Sequence, residues 1–260
     1  MAIPFVKASA CGNDFLIVEG ADPHANLADL SRRMCERMTG IGADGVEWLF
    51  ADAGADTCAR LFNADGSEAE ISGNGTRCVA AYLCSKDHRE KIVVRTGAGM
   101  KTCTLASRDD NRYEFEIAMG EPRIGEELSV ALASGRRVKG VQISMGNPHF
   151  VSIVEEFPVM WQEEASEIGH QPQFMNGINV EFVVVENTNN IAVKFFERGV
   201  GETRSSGTGS CAAAVAAISA SKAESPVRVH TPGGTQSVRW EQEVFLRGPA
   251  QIICSGVFFA

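Results

Sequence analysis

The chain has 260 residues, of which 44% are hydrophobic and 22% charged, with a formal net charge of −9 and a pI near 5.1. This is the balance of an ordinary globular chain of one large or two small domains, and it excludes a long basic face for nucleic acid. No run approaches the ~18 apolar residues of a membrane span, and MAIPFVKASACGNDF lacks the charged start and apolar core of a signal peptide, so the expected location is the cytoplasm.

Predicted elements follow in chain order. FLIVEG (15–20) is a short apolar run closed by Gly, a strand signal. LADLSRRMCERM (27–38) has apolar residues at helical spacing and stops before Thr39-Gly40. GVEWLF and ARLFN (59–63) read as strands, and the loop ISGNG then opens an Ala-rich helix to about Ser85. KIVVRT, MKTCTLA and RYEFEIA follow as strands. Gly and Pro gather in MGEPRIGEE (119–127), where a domain boundary is expected. Beyond it, RVKGVQISMG, HFVSIVE, INVEFVVVE and IAVKFFERG read as strands, with PVMWQEEASEIG as a helix opening on Pro158. RSSGTGS opens a second Ala-rich helix to about Lys222, and VRVHTPGG, QSVRWEQEVFLRG and QIICSGVFF close the chain as strands and hairpins.

Eight cysteines stand at 11, 35, 58, 78, 84, 103, 211 and 254, with no CxxC and no His at metal-ligand spacing. They read as reduced, mostly buried small side chains, with neither a disulfide framework nor a metal site expected.

The two Ser-Gly-x-Gly loops carry the functional signal. Ser72-Gly73-Asn74-Gly75 aligns on Ser206-Gly207-Thr208-Gly209 at an offset of 134 residues, about half the chain. Each half is a run of strands with one long helix starting at a glycine loop. The pattern reads as an internal duplication giving two similar α+β lobes that face each other. A helix start leaves about four backbone N–H groups without partners and carries roughly half a positive charge. Glycines let an anion approach that backbone. One such loop is most simply a serine N-cap. Two matched loops can hold one carboxylate and place residues 72 and 206 on opposite faces of the bound molecule.

That arrangement suits a racemase or epimerase without a cofactor, in which one group removes the α-proton and another returns it. Positive dipoles then stabilise the charge pushed onto the carboxylate. The two groups should titrate near neutrality, as cysteine does with its pKa near 8.5. A serine hydroxyl comparable to water, at about 15.7, leaves a gap of roughly 10 kcal/mol at about 1.36 kcal/mol per pH unit. The architecture asks for cysteines and the sequence supplies serines. A serine hydrolase would show G-x-S-x-G and a phosphate loop G-x-x-x-x-G-K-[ST]; neither is present.

GNDF (12–15), GIGADG (40–45), NADGSE (63–68), GNGTRC (73–78), MGNPH (145–149), GINVEF (177–182), ERGVGET (197–203), GTGSCAAAVAA (207–217) and HTPGG (230–234) stand in the order found in diaminopimelate epimerases. Over nearly its whole length the chain resembles that family. The resemblance implies two pseudo-symmetric lobes, each a mixed or antiparallel sheet wrapped around a central helix. Residues 1–119 with about 251–260 would form one lobe and 120–250 the other, with the site in a cleft between them. It implies cofactor-independent, metal-free interconversion of LL- and meso-diaminopimelate by two bases, in a homodimer that needs no nucleic acid or membrane partner. The bases fall on Ser72 and Ser206. His149 and Glu197 would tune them. Asn13, Asn63, Asn147, Asn179 and Arg198 would bind the distal carboxylate and amine, and Gly73, Asn74, Gly207 and Thr208 the reacting carboxylate.

Three departures stand out. Both catalytic cysteine positions hold serine, and Cys78 and Cys211 lie further along their helices. Gly45 occupies a place that often holds Gln, which loosens the reading of the distal stereocentre. Cys11 immediately precedes the Asn13 motif, where packing is its expected role. Two readings of the double serine are open. In one, serines were introduced to disarm a working epimerase, a nearly isosteric change that removes the proton chemistry alone. In the other they are natural, and the chain is a relative that binds an amino acid, or a racemase or dehydratase for a different one.

Overall fold

The computed structural model describes residues 2–20 and 26–260. Two compact units divide the chain, one formed by Met1–Ile117 with Arg247–Ala260 and the other by Ala118–Leu246. The first unit contains β1 (Ala2–Ala10), β2 (Asn13–Glu19), α1 (Leu27–Cys35), β3 (Gly45–Phe50), β4 (Thr57–Asn63), β5 (Glu68–Ala69), α2 (Gly73–Lys86), β6 (Lys91–Thr96), β7 (Gly99–Asp109) and most of β8 (Arg112–Gly120). The second contains β9 (Arg123–Ala131), β10 (Arg137–Ser144), β11 (Pro148–Val154), α3 (Trp161–Gly169), β12 (Asn179–Asn187), β13 (Asn190–Glu197), β14 (Gly201–Thr203), α4 (Gly207–Ser219), β15 (Val227–Thr231) and β16 (Gly234–Trp240). The last strand, β17 (Val244–Phe259), begins in the second unit and runs mostly in the first.

The units repeat one order of strand pairings. In the first, β2 lies parallel to β3, β3 antiparallel to β4, β4 antiparallel to β5 and parallel to β6, and β6 antiparallel to β7. In the second, β11 lies parallel to β12, β12 antiparallel to β13, β13 antiparallel to β14 and parallel to β15, and β15 antiparallel to β16. The registers match too: Phe15 faces Gly45 across β2–β3, and His149 faces Asn179, each 134 residues on, across β11–β12.

Both sheets are covered on two faces. Successive strand residues point to opposite sides. Val46 and Trp48 therefore pack with Leu30 and Met34 of α1, and Glu47 between them turns toward α2. Val180 and Phe182 pack with Trp161, Ala165 and Ile168 of α3, and Glu181 turns toward α4. The central helix α4 is buried from Gly209 through Ala217. Its run of alanines follows from that position, because a helix enclosed on all sides has no polar face and little room for long side chains. α2 is buried from Asn74 through Ala81 for the same reason.

Several boundaries differ from the sequence reading. α1 ends at Cys35 and not Met38, because Glu36 turns extended and Ile41 and Gly42 fold back to donate to Met34 O. α3 starts at Trp161, three residues after Pro158. α4 stops at Ser219, where Lys222 and Ala223 both donate to Ala217 O. β9 starts inside the Gly- and Pro-rich segment 119–127 and was not foreseen, because it is largely exposed and polar and carries little apolar signal; the units divide in sequence between Ile117 and Ala118, beside that segment. β1 was not foreseen; it is held between β2 and the distant β17. None of the eight cysteines forms a disulfide among the described residues, and six of them are buried.

Candidate active site

In the first unit, Ser72 is the N-cap of α2, with an extended backbone and a side chain that accepts from Gly75 N at 3.1 Å. Thr76 N and Thr76 Oγ1 both donate to Ser72 O at 2.8 Å, which fixes the first turn. Gly73 has no atom within 4 Å of where a side chain would begin, so the backbone there is open to a ligand. Asn74 is buried and donates to Asn13 Oδ1 at 2.7 Å, and Asn13 donates to Asp44 Oδ2 at 3.0 Å. The fully buried Arg77 donates to Asn74 Oδ1, to Pro249 O and to Cys11 Sγ. Asp14 and Asp44 are held by Lys7 and Arg37, with Asp14 2.8 Å from Lys7 Nζ and Asp44 2.8 Å from Arg37. Burial works against the Asp14 charge, but the hydrogen bonds and charges of Lys7 and Arg37 prevail and lower its pKa. The structure thus brings Asn13, Asn74 and Ser72 together. Asn63, at the end of β4 opposite Gly45, spends its amide on Ser67 Oγ at 3.0 Å within its own turn.

In the second unit, Ser206 caps α4 in the same way, accepting from Gly209 N at 3.2 Å, and Ser210 N donates to Ser206 O at 2.9 Å. Asn147 donates to Thr208 Oγ1 at 3.2 Å, and its carbonyl oxygen lies 3.0 Å from His149 Nε2. His149 Nδ1 lies 2.7 Å from Glu181 Oε1, and both residues are fully buried. Among the described residues Glu181 Oε2 has no hydrogen-bond partner. Asn179 donates to Pro148 O at 3.0 Å and accepts from Arg198 N at 2.9 Å, while the Arg198 guanidinium reaches Asn176 O. Glu197 takes a hydrogen bond from Thr203 Oγ1 at 2.6 Å, and Ser206 is close enough to favour its charged form. Burial raises the Glu197 pKa against the pull of Thr203, His149 and Ser206. Among the described residues no cluster of His, Cys, Asp and Glu could hold a metal ion.

The sequence reading missed Glu47 and Glu181, yet the signal was present. The 134-residue offset that joins Ser72 to Ser206 also joins Asn13 to Asn147, Phe15 to His149, Gly45 to Asn179, Glu47 to Glu181, Asn63 to Glu197 and Asn74 to Thr208. Each carboxyl lies beneath the first turn of its helix. A Cβ on Gly75 would collide with Glu47 Oε1 and sit 3.3 Å from Ser72 Cβ. One on Gly209 would lie 2.7 Å from Glu181 Oε1 and 3.0 Å from Ser206 Cβ. Both loops need glycine there because carboxyl and serine converge on the same point. The environments of the two carboxyls differ. Glu181 has His149, whereas the equivalent of His149 is Phe15, and Glu47 has no charged partner; burial alone pushes its pKa up to about 8.

Comparison with known proteins agrees with this geometry. The sequence profile described as "Diaminopimelate epimerase" matches residues 5–125 and 141–253. Proteins of that name from Halothermothrix orenii and Pelotomaculum thermopropionicum are each 36% identical, over 98% of this chain and 98% of theirs. One from Bacillus licheniformis is 34% identical over the same shares. The fold matches a hydroxyproline epimerase from Agrobacterium vitis, with a TM-score of 0.75 and 13% identity over 99% of this chain and 92% of that one. It also matches a phenazine biosynthesis protein of the PhzF family from Bacillus anthracis, with a TM-score of 0.73 and 14% identity over the full length of both. With the profile spanning nearly the whole sequence and the polar residues of both helix starts in place, the chain belongs to the diaminopimelate epimerase family.

Proposed function

We propose that the chain interconverts the stereoisomers of diaminopimelate without a cofactor, and that it does so slowly because both proton-transfer positions hold serine. The observation that carries this reading is the repeated site. Each unit presents a capped helix start and an Asn-based polar network at one constant spacing, and unit 1 adds an open backbone at Gly73. Helix starts of this kind favour a carboxylate and stabilise the charge that grows on it when the α-proton leaves. Asn13, Asn63, Asn147 and Asn179 offer both donors and acceptors to a zwitterion, and Arg198 offers a fork for a second carboxylate. Burial raises Glu197 above an ordinary carboxyl, which suits it to hold and release a proton.

The test is exchange of the α-hydrogen of LL-diaminopimelate in D2O, by this chain and by its Ser72→Cys, Ser206→Cys form. Strong epimerisation by the cysteine form supports the proposal. Binding without exchange by either form overturns it in favour of an amino-acid-binding protein.

A further inference from the structure

Unit 1 holds a buried cation that the proton chemistry does not use. Arg77, near the start of α2, has no exposure. It donates to Asn74 Oδ1, to Pro249 O at 3.3 Å and to Cys11 Sγ at 3.6 Å, none of them a carboxylate. Its Nη1 has no hydrogen-bond partner among the described residues. Burying a guanidinium in this way is costly, and an apolar side chain would fill the same space at less cost. What the guanidinium brings is that it can only donate. That restriction passes along a chain of amides. Asn74 turns its oxygen to Arg77, so its Nδ2 points to Asn13 and donates to Asn13 Oδ1 at 2.7 Å. Asn13 accepts there and spends its own Nδ2 on Asp44 Oδ2 at 3.0 Å. The Asp44 carboxylate closes the chain as an acceptor, with Arg37 on Oδ1 at 2.8 Å and Asp14 N on Oδ2 at 3.2 Å. A donor-only group at one end and a carboxylate at the other leave both asparagines a single orientation. Unit 2 lacks both ends. At the same 134-residue spacing Arg77 becomes Cys211 and Asp44 becomes Ile178. Asn147, the equivalent of Asn13, lies between Thr208 Oγ1 and His149 Nε2, and a hydroxyl and an imidazole can each donate or accept.

We propose that Arg77 is a positioning residue that locks Asn13 and Asn74 in this one orientation and so fixes how unit 1 grips an amino-acid substrate. The proposal rests on the epimerase reading above, in which both asparagines meet the substrate. Beyond the bonds of the chain, Asn13 keeps one N–H and one oxygen lone pair in set directions, the first suited to a carboxylate and the second to an ammonium group. Without Arg77 the amides can turn over, and the fraction of protein ready to bind falls. Apparent affinity falls by the same fraction, whereas saturating substrate restores the competent form.

The experiment compares Arg77→Lys, Arg77→Gln and Arg77→Met with the parent. Lysine only donates, glutamine donates and accepts, and methionine does neither to any useful degree. Calorimetry gives Kd for LL-diaminopimelate in the parent chain and its variants, and KM and kcat are read in the Ser72→Cys, Ser206→Cys background. Arg77→Lys should stay within about threefold of the parent, whereas Arg77→Gln and Arg77→Met should raise Kd and KM about tenfold and change kcat less, as a fall of the competent fraction to about a tenth requires. NMR of asparagine side-chain NH2 exchange in the free protein reads the orientation without substrate. The buried Asn74 amide should keep its protection in Arg77→Lys and lose it about tenfold in Arg77→Gln and Arg77→Met. Equal effects of all the variants, an Arg77→Gln form as good as Arg77→Lys, or losses that follow Tm alone would each overturn the proposal. If the cysteine form epimerises diaminopimelate while Arg77→Met leaves Kd and KM unchanged, the function stands and the role of Arg77 falls. If no form binds or epimerises diaminopimelate, the epimerase reading falls and the grip on substrate falls with it, while the amide exchange still decides whether Arg77 sets the orientation.

Discussion

The buried carboxyl of Glu47 makes a stability prediction that needs no substrate. Burial moves it from an ordinary value of 4.5 to about 8. Between those values the folded chain keeps a proton that the unfolded chain has released, so unfolding is increasingly favoured as pH rises. The contribution is fully present below pH 4.5, falls through the interval and levels off above about 8. At about 1.36 kcal/mol per pH unit the loss reaches ~5 kcal/mol. Because Glu47 is only 3% exposed, water offers little screening to reduce that figure. Glu47→Gln keeps the shape of the protonated acid and removes the titration. Urea unfolding of parent and variant between pH 5 and 9, followed by the fluorescence of Trp48 with Trp161 and Trp240 replaced by Phe, isolates the difference, since the other titrating groups cancel. The variant should gain on the parent steadily between pH 5 and 8, by about 3–4 kcal/mol. A difference that stays flat within about 0.5 kcal/mol, a fraction of one pH unit's worth, would refute a desolvated Glu47.

Three further outcomes are expected. His149→Phe, which copies Phe15 of the other unit, strands Glu181 in a site with no exposure and should cost roughly 3–5 kcal/mol in urea unfolding. Gly209→Ala forces a Cβ to 2.7 Å from Glu181 Oε1 and 2.9 Å from Phe195 Cδ1, and should lower stability by about 1–3 kcal/mol, read as a drop in Tm. Iodoacetamide at pH 8 should label the exposed Cys254 in the native protein, whereas Cys35 and Cys103, pushed up to about 12 chiefly by burial, should react only after denaturation, as peptide mass mapping would show.

Much of the fold could be read from local sequence because its signals are local. The helix starts at Gly73 and Gly207 follow from serine caps and glycines, and the alanine runs announce helices with no exposed face. Strands such as β3 and β12 carry enough β-branched and aromatic residues to declare themselves. β1 and β9 do not. β1 is held by partners at both ends of its unit's sequence, and β9 is polar and gains its order from pairing with β10. The β17 partner of β1 lies at the far end of the chain, outside any local window, and β9 is ordered by its hairpin with β10 although its own composition carries little strand signal.

The site divides in the same way. Sequence by itself determined which residue types stand at the two helix starts and that their spacing repeats. It contained the Glu47–Glu181 pair at the same spacing but could not show that these are carboxyls turned into the protein. Only tertiary structure placed His149 against Glu181, left Glu47 beside apolar neighbours, and brought its oxygen beneath Gly75 at the first turn of α2. A carboxyl's pKa depends on what surrounds it in space, and those neighbours come from strands and helices distant along the chain.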